Sequence, residues 1–140
     1  MLFRSDKDKM AIYLGECRRM KIQVLPPDVN ESSHDFTPVG TDIRFGMTAV
    51  RNVGANVVDH IVAARREKGR FTDFNDFMAK IPLQACNKRV LESLVKAGAF
   101  DSLGHNRRAL YQIHAEAVDS QSVLKKNEAV GMVEIGRAHV

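Results

Sequence analysis

Between Met47 and Ile61 the chain reads MTAVRNVGANVVDHI, and Asn52-Val53-Gly54 divides two apolar patterns of helical spacing. Met47 and Val50 mark the first pattern; Val58 and Ile61 mark the second. Asn and Gly enter left-handed backbone conformations at low cost. The spacing therefore predicts a turn or slightly more of helix over Met47–Arg51, a tight corner, and a second helix over Ala55–Lys68 stopped by Gly69. The first N–H groups of that second helix lack intrahelical partners. They point out of the corner, where the helix dipole adds partial positive charge. With no Cβ at Gly54 and only short side chains beside it, a phosphate can come close to the backbone. Arg51, Asn52, Val53, Gly54, Ala55 and Asn56 are thus the candidate phosphate-binding corner, with Arg65 and Arg66 as auxiliary cations. Val53 is expected to plug back between the two helices.

The rest of the chain is punctuated in the same way. KDKMAIYLGECRRM reads as an amphipathic helix ahead of a short extended segment at Ile22–Leu25, which Pro26-Pro27 closes. Phe36–Val39 and Ile43–Phe45 form the arms of a small hairpin around Gly40-Thr41-Asp42. Thr72 is placed to cap a helix over Asp73–Lys80, and Asn87 to cap KRVLESLVKA up to Gly98. Asn106 is placed to cap RRALYQIHAEAV, which runs on towards Leu124. The predicted class is mostly α with a small β hairpin in the N-terminal third.

An internal repeat supports a duplicated unit. Met47, Val50 and Gly54 have equivalents 44 positions later in Leu91, Leu94 and Gly98. The second corner is longer, with Gly98, Gly104 and the Asn106 helix, whose first turn holds Arg107 and Arg108. Gly98, Asn106, Arg107 and Arg108 are its candidate phosphate contacts. Cations there oppose the helix dipole, an arrangement that a bound phosphate would reward.

Charge follows the same geography. Arg44–Leu110 holds twelve Lys and Arg against six Asp and Glu, whereas Ser5–Ile43 and Tyr111–Val133 are slightly acidic. A basic block of this kind fits a polyanionic partner or a plain solvated surface. No apolar run approaches the ~18 residues of a membrane span. Cys17 and Cys86 stand far apart without a CxxC partner, so neither a disulfide framework nor a zinc site is expected, and a reducing cytoplasm fits. His34, His60, His105 and His114 show no metal-ligand spacing.

The pattern apolar, two spacers, apolar, two spacers, Val-Gly resembles the helix-hairpin-helix motif, with Asn52 in place of its usual first hairpin Gly. Four longer stretches extend the likeness: AIYLGECRRMKIQVLPPDVNES, IRFGMTAVRNVGANVVDHIVAARREKG, FTDFNDFMAKI and NKRVLESLVKAGAFDSLGHNRRAL. Together they resemble the C-family replicative polymerases of bacteria, the DNA polymerase III alpha subunits, over roughly Asp6–Val133. The resemblance implies an internal fragment: the end of the fingers region over 6–43, a tandem helix-hairpin-helix module over 44–124, and a linker over 125–133. It implies non-specific binding of duplex template–primer DNA through backbone phosphates, at the replisome in the cytoplasm. The rest of the polymerase chain, the sliding clamp and other replisome subunits are the implied partners, the latter two through regions this sequence lacks. The family is a DNA-directed DNA polymerase whose palm aspartates hold Mg²⁺. Asp28, Asp35, Asp42, Asp59, Asp73, Asp76 and Asp101 match no palm motif. No catalytic residue, metal ligand or cofactor is therefore assigned to this stretch, and alone it is expected to be inactive. An error-prone paralogue of the same family, a free-standing helix-hairpin-helix repair module and a purely structural helical domain stay open as alternatives.

LFRS at 2–5 and EIGRAHV at 134–140 match nothing in that family. Both are what translated sequencing adapter would encode. Residues 1–5 and 134–140 are accordingly read as processing scars and kept out of the fold.

Overall fold

A computed structural model describes the backbone of residues 7–82, 85 and 87–138, and side chains within 11–126. The expected scar at 1–5 and Cys86 lie outside the described residues. Helix α1 (Lys7–Arg19) leads into strand β1 (Val24–Leu25), and a hairpin follows with arms β2 (Thr37–Val39) and β3 (Asp42–Arg44). The hairpin expected from sequence is present, and β1 adds to it in parallel, so the sheet order is β1-β3-β2. The remainder is helical: α2 (Ala55–Lys68), α3 (Phe74–Lys80), α4 (Lys88–Ala97) and α5 (Arg107–Ala138), with 3-10 turns at Met47–Ala49 and Asp101–Leu103.

The caps explain most boundaries. Asn87 accepts from the Val90 N–H, and Gly98 ends α4 in the left-handed region at φ 86°. Asn106 Oδ1 accepts from the N–H groups of Arg108 and Ala109. At α3 the cap is Asp73 rather than the expected Thr72. Asp73 Oδ1 accepts from the Asp76 N–H, while Asp76 Oδ2 accepts from the Thr72 N–H, a reciprocal exchange that the carboxylates supply and a hydroxyl at 72 does not. Helix α5 continues as helix through 125–133 to Ala138, past the expected end near Leu124. Lys125 pins it to α3 by donating to the carbonyls of Met78 and Ile81.

The first helix before the corner is a single 3-10 turn, because Val50 is already extended at φ −80° and ψ 131°. The Met47 and Thr48 N–H groups, which a helix starting here leaves without internal partners, donate to the Ser33 and His34 carbonyls. Gly46 makes this approach possible, because a Cβ there would collide with the backbone of His34 and Asp35.

One core joins the turn at Met47–Ala49 and the helices α2–α5. Phe71, Phe74, Phe77 and Phe100 form an edge-to-face cluster with centroids 4.9–5.2 Å apart. Met47, Val50, Val53, Val58, Ile61, Leu91 and Leu94 pack with it. Each fully buried side chain of this size contributes roughly 1.5–3 kcal/mol.

The segment Asp28–Ser32 enters the same core. Val29 is fully buried, and its N–H donates to the Ala99 carbonyl. Asn30 makes a two-way amide pair with Phe71, accepting from its N–H and donating to its carbonyl, both at 2.9 Å. Asp28 accepts from the Asn30 and Glu31 N–H groups, and Ser32 donates to the Phe45 carbonyl. Asp28–Ser32 is thus a polar keystone between the sheet and the helices.

Candidate nucleic-acid interface

The corner at Asn52-Val53-Gly54 has the shape its residues predict. Asn52 is left-handed at φ 71°, one of two non-glycine residues with positive φ among the described residues. Val53 is fully buried. Gly54 caps α2 at φ −85°, ψ 170°, an extended conformation open to any residue. A Cβ on Gly54 would meet nothing within 4 Å. Neither backbone geometry nor packing calls for glycine there.

The N-terminus of α2 is also bare. No side chain caps it and its first turn has no acidic residue. By contrast α3, α4 and α5 each take a side-chain cap, from Asp73, Asn87 and Asn106. The N–H groups of Ala55, Asn56 and Val57 precede the first intrahelical bond, which Val58 makes to the Gly54 carbonyl. Ala55, Asn56 and Arg51 are exposed around them.

The structure separates the auxiliary arginines from this corner. Arg65 and Arg66 follow Ala55 by ten and eleven residues, which places them about 15 Å further along the α2 axis. Arg65 turns inward and donates to the Val29 carbonyl at 2.8 Å. Partial burial pulls its pKa below the usual arginine value, against the raising effect of Glu31 and Asp28. Arg66 stays exposed at that far end. Arg70 pairs with Glu31 at 2.7 Å, and Lys68 donates to the Lys80 carbonyl. Much of the basic run after α2 therefore holds the fold together.

The second corner differs from the first. Its left-handed residues are Gly98 and Gly104, so Gly98 corresponds in conformation to Asn52 and not to Gly54. Arg107 lies across Gly98, where a Cβ would collide with its guanidinium. Asp101 holds that guanidinium at 2.7 Å and raises its pKa. The N–H groups that start α5 are taken by Asn106, while Arg108 is exposed. His105 Nε2 accepts from the Phe74 N–H, linking this corner to α3.

One hydrogen bond ties the corners to a common helix. Asn52 Nδ2 donates to Ser93 Oγ at 3.1 Å, in the middle of α4. Gly98 ends α4 five residues later, about 7 Å along the axis. Ser93 was not legible as a site residue; its one signal is a polar residue within the apolar face of VLESLV. No helix among the described residues is long and apolar enough to cross a membrane.

Comparison with known proteins agrees with this architecture. A family model described as a helix-hairpin-helix motif matches residues 21–110. The chain is 58% identical over 130 residues to the DNA polymerase III subunit alpha of Mycobacterium leprae, and the match covers 93% of the chain and 11% of that protein. It is 59% identical over 130 residues to the subunit of the same name from Saccharopolyspora erythraea, with the same two coverages. The protein of that name from Thermus aquaticus is 49% identical over 107 residues, 76% of the chain and 9% of its own length. The chain thus spans about a tenth of the length of the relatives it matches.

Proposed function

The chain belongs to the helix-hairpin-helix family, and from that premise we propose that it is an internal part of a replicative DNA polymerase that grips duplex template–primer DNA without regard to sequence. The carrying observation is the bare N-terminus of α2 beside a glycine that neither conformation nor packing requires. Its N–H groups and dipole end suit a phosphate oxygen. Backbone donors at a corner read no base edge, so the contact positions the duplex and does not select it.

Catalysis belongs elsewhere in such a parent. The family's Mg²⁺ chemistry needs free carboxylates held together, and the carboxylates here do not fit that need. Asp28, Asp42, Asp73 and Asp76 accept backbone N–H groups, and Asp59 and Asp101 face His34 and Arg107. No cluster of three or more His, Cys, Asp or Glu residues suited to a metal occurs among the described residues. On this reading the chain alone does not incorporate nucleotides, and a primer-extension assay on the purified chain tests it. Its parent works in the cytoplasm, and the clamp and other replisome subunits meet that parent through regions outside this sequence.

Titration of a duplex at several salt concentrations tests the reading. Log K should fall linearly with log salt, with a slope near −0.9 for each phosphate contacted, and equally for unrelated sequences. A flat salt response or a strong sequence preference would overturn the phosphate-clamp reading. The same titrations separate the two arginines. Arg65→Ala should lower stability by about 1 kcal/mol through its lost bond to Val29, with a smaller effect on DNA. Arg66→Ala should leave the melting temperature unchanged. Thermal melts run beside the titrations check both.

A further inference from the structure

We propose that the duplex-binding surface continues from the Gly54 corner past Arg89 on α4 to a second phosphate seat built from the side chains of Lys96 and Arg108, with Glu92 as its built-in competitor. The inference rests on the Gly54 reading and extends it to Lys96 and Glu92, which lie outside both corners, beside Arg108 of the second.

The Asn52–Ser93 hydrogen bond sets the first corner against the middle of α4. Arg89 lies four residues before Ser93 and Lys96 three after it, on the adjoining turns of the same side. Lys96 Nζ is aimed by two partners: Glu92 Oε1 at 2.8 Å and the Tyr111 ring, 5.1 Å from its centroid. Next to it opens a cleft of about 280 Å³ lined by Val95, Lys96, Arg107, Arg108 and Tyr111. Arg107 forms a wall of this cleft, fixed by Asp101. Arg108 and Arg89 are exposed, and neither guanidinium has a carboxylate partner among the described residues.

Glu92 is the anion paired with Lys96 at the edge of this set. The hydrogen bond from Lys96 is the main reason its pKa lies below the usual carboxylate range, and the charges of His114 and Arg89 act in the same direction. An exposed ion pair such as Lys96–Glu92 contributes little to stability, so it opens readily when a better anion arrives. A phosphate in the cleft would take over Lys96 and find Arg108 beside it, with Glu92 as the repulsive element. The seat is lined by long flexible cations and one ring, a set that recognises backbone charge and no base pattern.

The sign of the Glu92 effect makes the test sharp. A fluorescent mixed-sequence duplex is titrated with the whole 140-residue chain and with Glu92→Gln, Lys96→Ala, Lys96→Gln and Arg108→Ala, each checked by circular dichroism and thermal melting. Glu92→Gln should tighten binding by on the order of threefold or more, because it removes an anion beside the phosphate. The two Lys96 variants and Arg108→Ala should each weaken it by roughly three- to tenfold at low salt and reduce the salt slope by about one. Unchanged affinity and slope in the folded Lys96 and Arg108 variants, or weaker binding by Glu92→Gln, overturns the second seat. If Gly54→Val still loses affinity in that case, the corner reading stands without it. If the unsubstituted chain binds no duplex even at low salt, both readings fall together.

Discussion

Gly54→Val is expected to lower duplex affinity by on the order of a hundredfold at low salt while leaving the fold intact. The two halves of this result have separate causes. Gly54 has an ordinary extended conformation, and open space surrounds its missing Cβ, so valine fits without strain. Stability should fall by no more than about 1 kcal/mol, the difference between a fair and a poor N-cap. Binding is different, because the added methyl groups fill open space that a phosphate approaching the N–H groups at the start of α2 would use. A hydrogen bond to a charged acceptor is worth roughly 1.5–3 kcal/mol. Loss of one or two such bonds gives the expected fold-change, and the salt slope should shrink by about one. Gly54→Ala should fall between valine and glycine. Fluorescence anisotropy with a short duplex measures all three. Affinity unchanged in Gly54→Val would mean that no phosphate sits at this corner, and the glycine would then have no account from either packing or binding.

The corner was legible in the sequence because its causes are local. Asn52 in the left-handed region, Val53 as a plug and the start of α2 all follow from side-chain size and backbone preference within five residues. The same holds for Asn87, Asn106 and Gly69 as helix punctuation. What escaped the sequence is set by residues far apart in the chain. The first N–H groups of the turn at Met47–Ala49 are taken by the Ser33 and His34 carbonyls. Arg65 looks like a free cation in ARREKGR, yet its guanidinium faces the Val29 carbonyl, 36 residues away. The repeat was misleading, because Met47–Ala49 is a 3-10 turn where Lys88–Ala97 is an α-helix, and because its glycines do not correspond. Spacing aligned Gly54 with Gly98, while backbone conformation aligns Asn52 with Gly98.

The polar keystone carries the largest expected effect on stability. Asn30→Ala should destabilise the chain by about 2–4 kcal/mol, a drop in melting temperature on the order of 10 °C for a chain of this length. The reason is what the substitution leaves behind. It removes both hydrogen bonds to Phe71 and strands a backbone N–H and carbonyl where Asn30 itself is only 8% exposed. Water has poor access to replace them, and Phe71 stands at the edge of the aromatic cluster with Phe77. Asn30→Asp isolates the donor half of the pair. The carboxylate still accepts from the Phe71 N–H but turns a second oxygen towards the Phe71 carbonyl, which favours its protonated form. Its folded pKa should therefore be raised, so its deficit should shrink as pH falls through that pKa and return in full above it. Thermal melts of both variants between pH 4 and 7 separate these contributions. A melting temperature unchanged in Asn30→Ala would mean that Asp28–Ser32 does not bind the helices together, and that the segment before Arg44 is separable from them. A large drop instead makes that segment part of the body that holds Gly54 in place, since the loop that fixes Met47–Ala49 begins at Ser33, directly after it. In that case Asn30→Ala should also weaken duplex binding when measured near its lowered melting temperature, and match the unsubstituted chain well below it.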